Sequence, residues 1–83
     1  MSIVKLEELM SLPGWDTRRK ILESLSEKPK TAYELSKELD LNYSTVRYHL
    51  ELLEKFGFVK ARKTKKYVYE VSFKNLEFYS NQV

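Results

Sequence analysis

The hydrophobic period of this chain changes at Gly57, and that change limits the folds open to it. Just upstream, Val46, Leu50 and Leu53, with Phe56 beyond them, recur at helical spacing and mark the inner stripe of a helix over 43–56. Downstream the period is two, which predicts strands over 58–63 and 67–71. Only Thr64-Lys65-Lys66 joins them, so the pair is an antiparallel hairpin. Gly57 stands where a helix ends in a left-handed residue. The fold class is therefore mainly α with a β-hairpin (α+β).

The rest of the chain supplies more helices. Ile3, Leu6, Leu9, Met10 and Leu12 predict a short amphipathic helix over 3–12, stopped by Pro13-Gly14. Asp16 is a good N-cap for a helix over 17–27, with Ile21, Leu22 and Leu25 inward and Arg18, Arg19, Lys20 and Glu23 in water. Trp15 is expected to pack on the first helix. Thr31-Ala32-Tyr33-Glu34 is a capping box, with threonine at the N-cap and glutamate three residues on. It opens a helix over 32–39 whose apolar face is Leu35, Leu39 and Ala32. After Asp40-Leu41-Asn42, Asn42 caps the helix over 43–56. Tyr67, Tyr69 and Val71 form the inward face of the hairpin, and residues 72–83 predict one further short helix around Leu76, Phe78 and Tyr79.

Size and composition exclude several classes. The 83 residues make a single domain with a thin core, about 17–72. Its terminal segments, 1–12 and 73–83, are available for dimerisation, which adds buried area. There is no cysteine and one histidine, His49, so neither a disulfide nor a metal cluster is expected, and no cofactor is implied. His49 is expected to pack or hydrogen-bond at the flank of its helix. Acidic residues interrupt the apolar N-terminus, and no run approaches the ~18 apolar residues of a membrane span. The chain reads as cytoplasmic, without a membrane partner. It has no nucleophile–base pattern and no phosphate loop, so it is not expected to be an enzyme.

Charge is distributed unevenly. Residues 30–67 hold nine Lys/Arg against five Asp/Glu, whereas the remainder holds six against seven. Five of the seven residues from Lys60 to Lys66 are basic, as a polyanion binder requires.

Two short helices joined by a tight turn and followed by a basic hairpin make a helix-turn-helix with a wing. A duplex major groove is ~12 Å wide and admits one α-helix. Tyr43, Ser44, Arg47 and Tyr48, at i, i+4 spacing, project together from the second of those helices. They offer hydroxyls and a guanidinium to base edges or phosphates. Thr31 and Asn42 lie at two helix starts, whose free N–H groups hold phosphates. Lys63, Lys65 and Lys66 lie at the hairpin tip, within reach of backbone or minor groove.

Residues 17–72 resemble the ArsR-type winged helix-turn-helix regulators, particularly small archaeal members. The resemblance is carried by Arg19-Lys20-Ile21-Leu22, by Thr31-Ala32-Tyr33-Glu34-Leu35-Ser36, by the run from Leu41 to Leu50 and by the run from Leu53 to Val59. It implies double-stranded DNA as partner and a homodimer built by terminal helices. The helix over 43–56 would be the recognition helix and the hairpin over 58–71 the wing. DNA contact is carried to Asn42, Tyr43, Ser44, Thr45, Arg47 and Tyr48, and to Arg62, Lys63, Lys65 and Lys66. Many ArsR-type repressors sense metals through cysteines or histidine clusters, and this sequence departs from that pattern. Two other readings stay open: a protein-docking winged helix, and a chromatin-type binder without sequence preference.

Overall fold

The structure, a computed structural model, describes residues 2–72. In chain order the elements are α1 (Ser2–Ser11), α2 (Trp15–Leu25), β1 (Lys30–Thr31), α3 (Ala32–Leu39), α4 (Tyr43–Lys55), β2 (Val59–Lys63) and β3 (Tyr67–Val71). The helix expected around Leu76, Phe78 and Tyr79 lies outside the described residues.

Helix ends follow side-chain chemistry. The Thr31 hydroxyl accepts from the Glu34 amide at 3.1 Å, and the Glu34 carboxylate accepts from the Thr31 amide at 2.8 Å, so the capping box is complete. Those bonds, the backbone one first, hold the Glu34 carboxyl below its usual range. The turn into α4 contains no glycine; Asp40 supplies its left-handed residue at φ 56°. At the far end of α4, Gly57 has φ 84°, the Phe58 amide donates to Leu53 O at 2.9 Å and the Gly57 amide to Glu54 O at 3.0 Å. This paired closure satisfies the last carbonyls and drops Phe58, 1% exposed, into the core as the hairpin begins.

Leu9, Ile21, Leu35, Val46, Leu50 and Leu53 are fully shielded, so Leu9 of α1 and the inner stripes of α2, α3 and α4 meet in a single core. Val59, Tyr69 and Val71 cover it from the sheet. Met10 and Leu12, counted in the apolar spacing of the first helix, are 43% and 38% exposed.

Three expectations are corrected. Asp16 is not the cap of α2; the helix begins at Trp15, two residues earlier than expected, behind a left-handed Gly14, and Asp16 lies in its first turn. Arg18 does not face water and is 0% exposed, because protein acceptors replace its hydration. Tyr67 shares a face with Tyr69 and Val71 but lies past the edge of the core and is 55% exposed.

The sheet has three strands rather than two, in the order β1-β3-β2, all antiparallel. Thr31 pairs with Val68 and Lys30 with Tyr69. A two-residue strand carries no period for a sequence to display. Its buried lysine is compensated: Lys30 Nζ lies 2.7 Å from Glu38 Oε1 and donates to Ser24 Oγ at 2.6 Å. The bond to Glu38 raises the Lys30 pKa and lowers that of Glu38. Thus β1 lies along one edge of β3, tied to α2 and α3, and β2 lies along the other.

Candidate nucleic-acid interface

Asn42 caps α4 by accepting from the Ser44 amide at 3.1 Å and the Ser44 hydroxyl at 2.8 Å. The leading turn of α4 is thereby closed on itself, with Tyr43, Ser44 and Thr45 exposed around it. One turn on, Arg47 Nη1 donates to the Tyr43 hydroxyl at 3.4 Å, and Nη2 lies 3.5 Å from Glu51 Oε2. The phenol hydrogen bond, with Tyr69 and Glu51 nearby, raises the already high Arg47 pKa, so the guanidinium is a fixed cation.

Four of the expected residues converge. Thr31 from the start of α3, Tyr43 and Arg47 from α4, and Lys66 from the hairpin turn line one cleft of about 300 Å³. Ala32, Tyr33, Tyr67 and Tyr69 complete its walls. Tyr48 does not join them, although it was expected to project with Tyr43 and Arg47. It is 59% exposed and lines a shallower hollow with Glu51, Leu52 and Lys55, 100° around the helix from Arg47.

Arg62, Lys63, Lys65 and Lys66 are all exposed on the hairpin. Arg62 is less free than its neighbours, since Glu70 lies 3.7 Å from it and 3.8 Å from Lys60 across the strand pair. Lys63 holds its ammonium 5.5 Å from the centre of the Tyr67 ring. The Thr64 amide donates to Lys66 O at 2.9 Å, which closes the turn that carries Lys65 and Lys66.

Sequence reasoning missed Tyr33 and misplaced Tyr67. The signal for Tyr33 was present: the capping frame sets it at the second helical position, two residues from Thr31. It did not foresee the partner of His49. This residue is 6% exposed, its Nδ1 lies 3.0 Å from Arg18 Nη1, and its ring meets the Tyr48 ring edge-on at 5.0 Å. Burial, with Arg18 adding to it, lowers its pKa. The expectation that His49 packs and hydrogen-bonds is met. Among the described residues no group of three His, Cys, Asp or Glu side chains could hold a metal, and no helix is long and apolar enough to cross a membrane.

A helix pair in which the second helix presents its polar face, followed by a basic hairpin on a three-stranded sheet, defines a winged helix-turn-helix domain. The profile of the bacterial regulatory proteins of the arsR family matches residues 16–61. The chain belongs to that family, whose members and curated relatives are regulators of transcription and not enzymes.

Two relatives come from the archaeon Methanocaldococcus jannaschii. The HTH-type transcriptional regulator MJ0229 is 41% identical over 61 residues, which are 74% of this chain and 61% of that protein. The regulator MJ1398 is 35% identical over 65 residues, 77% of this chain and 17% of that protein. The matched region therefore spans less than two thirds of either relative. The homodimeric winged helix-turn-helix DNA-binding domain Mb0332 of Mycobacterium bovis, solved by NMR, has the same fold, with a TM-score of 0.78 at 16% identity. The match covers 95% of this chain and 72% of that one.

Proposed function

We propose that the chain is a sequence-specific regulator of transcription that binds double-stranded DNA as a homodimer in the cytoplasm. In this reading α4 enters the major groove and the hairpin over 58–71 lies on backbone or minor groove. The observation that carries it is the convergence of Thr31, Tyr43, Arg47 and Lys66, from α3, α4 and the wing, on one opening. Three separate elements thus present hydrogen-bonding groups and two cations to a common face. A duplex offers phosphates on both sides of a groove and base edges within it.

The groups divide by task. Tyr43, Ser44, Thr45, Arg47 and Tyr48 are the base-reading set, with Arg47 able to reach guanine in bidentate fashion. Thr31, Asn42, Arg62, Lys63, Lys65 and Lys66 hold phosphates at the helix starts and wing. Residues 1–83 act as one domain, whose terminal segments 1–12 and 73–83 build the dimer. The exposed Met10 and Leu12 near the end of α1 support that assignment, as does the homodimeric state of the Mycobacterium bovis domain. Two recognition helices would then meet half-sites about one helical turn, ~34 Å, apart.

The test is fluorescence anisotropy of a mixed-sequence duplex at several salt concentrations, with wild type beside the Lys63→Ala/Lys65→Ala/Lys66→Ala variant. Binding with a steep salt slope, reduced by up to about 3 in the triple variant, supports the wing contact. Absence of binding at low salt overturns the DNA reading in favour of a protein-docking module.

A further inference from the structure

The cleft between α4 and the wing is built of more than a phosphate requires. Its walls are Tyr33, Tyr43, Tyr67 and Tyr69, with Arg47 and Lys66 as cations. Tyr69 is 5% exposed and sits deep, while Tyr33, Tyr43 and Tyr67 keep about half or more of their surface open at 60%, 49% and 55%. A phosphate on a DNA backbone takes donors and charge; it makes no use of aromatic ring faces. Such faces stack on a planar ring, offset or edge-on.

The electrostatics select the sign of that ring's substituent. Lys37 stands 5.4 Å from the Tyr33 ring centre and Lys63 5.5 Å from the Tyr67 ring centre, so both outer walls carry a cation in addition to Arg47 and Lys66. Two acids oppose them: Glu51 at 3.5 Å from Arg47, in an exposed contact, and Glu34, whose carboxyl feels Lys66. Arg47 keeps its guanidinium end open, since Nη1 and Nη2 make only long contacts, 3.4 Å to the Tyr43 hydroxyl and 3.5 Å to Glu51, and the side chain is 43% exposed. At about 300 Å³ the space lies at the small end of organic-ligand sites.

We infer that this cleft binds a small single-ring aromatic carboxylate, its ring among Tyr33, Tyr43 and Tyr67 and its carboxylate on Arg47 and Lys66. The inference rests on the DNA-binding reading for its consequence. Arg47, Tyr43 and Lys66 serve both ligands, so occupant and duplex compete for the same groups, and the bound carboxylate releases DNA. Coupling of this kind is reciprocal: the duplex weakens the carboxylate by the same factor.

The test separates site from consequence. The full chain, free of DNA, is titrated with benzoate while tyrosine ring resonances are followed by NMR. Benzamide (same shape, no charge) and cyclohexanecarboxylate (same charge, no π face) run alongside. Saturable shifts at Tyr43 and Tyr67, with benzoate at least tenfold tighter than either control, support the site. Arg47→Gln and Tyr33→Ser should each weaken benzoate several-fold, while Arg19→Ala, a cation removed from α2 outside the cleft, should not. Equal response to all three compounds, or shifts located elsewhere, overturns the site. A preformed protein–duplex complex then receives saturating benzoate at constant ionic strength. A rise of at least tenfold in the apparent Kd for DNA supports the competition; an unchanged Kd with benzoate bound overturns it. If no duplex binds at all, the DNA reading fails while the benzoate titration still decides the site.

Discussion

The guanidinium of Arg18 lies 3.0 Å from Nδ1 of His49, with both side chains buried and no carboxylate paired with either among the described residues. Nη2 of Arg18 also donates to the carbonyls of Leu12 and Pro13, both at 2.8 Å, and reaches Leu9 O at 3.4 Å. One cation from α2 therefore closes the C-terminus of α1 and holds α4 through His49. Because the guanidinium can only donate, His49 accepts at Nδ1 and is neutral, with its proton on Nε2.

Arg18→Ala should be among the most damaging single changes in the domain. It leaves carbonyls and a ring nitrogen without their donor and opens a cavity. A loss of about 3 kcal/mol in unfolding free energy is expected, the range for breaking a buried charged network. Urea denaturation measures it. A loss below about 1 kcal/mol would show that water replaces the guanidinium without cost.

His49 makes stability depend on pH in a defined direction. Its pKa in the folded chain lies below the ordinary 6.5, by burial and then by Arg18. Between the two values the unfolded chain binds the proton and the folded chain does not, so stability falls as pH falls below about 6.5. Above that pH the effect is absent. The lowered Glu34 and Glu38 carboxyls contribute only at more acid pH, below their ordinary 4.5. Urea midpoints at pH 7.5 and 5.5 should differ in the wild type and converge in His49→Gln. An equal difference in the variant would move the proton to another group.

Gly14→Ala tests the same junction from the backbone. Gly14 has φ +90°, and an added Cβ would meet His49 Cε1 at 2.8 Å. Neither strain is relieved by a flexible side-chain end, since the histidine ring is fixed by Arg18. A loss of roughly 1–3 kcal/mol is expected from thermal unfolding. An unchanged Tm would mean the turn adopts another path.

Arg47→Ala discriminates specific from general DNA binding. If Arg47 reads a base, affinity for the preferred site should fall roughly tenfold to a hundredfold while affinity for unrelated duplex changes little. Uniform weakening across sequences would make it a phosphate contact. Competition titrations with specific and scrambled duplexes give both numbers.

The helices and the hairpin were legible in the sequence because each is written locally. The capping box at Thr31 and Glu34, the Asn42 cap and Gly57 fix their elements within one turn of chain, and α3 matches its expected span. What the sequence did not disclose was non-local. Arg18 carries the same letters as a solvent-facing arginine, and only its meeting with His49, 31 residues away, removes it from water. Strand β1 exists because Lys30 finds Glu38 and Ser24, not because two residues favour a strand. At the candidate interface, Tyr43 and Arg47 were foreseen together on one helix face, and Thr31 and Lys66 each on its own element. The cleft they share with Tyr33 and Tyr67 required the sheet register.

That register has a further consequence. Thr31 pairs with Val68 on the strand that also forms the wing, so the start of α3 and the wing tip are two jaws of one rigid caliper. Its opening is set by the few residues from Val68 to the turn, not by α4. A wing lengthened at Thr64-Lys65-Lys66 would change how far one jaw reaches and leave the other where it is. The span between the two anchors would then be adjustable without rewriting the helix between them.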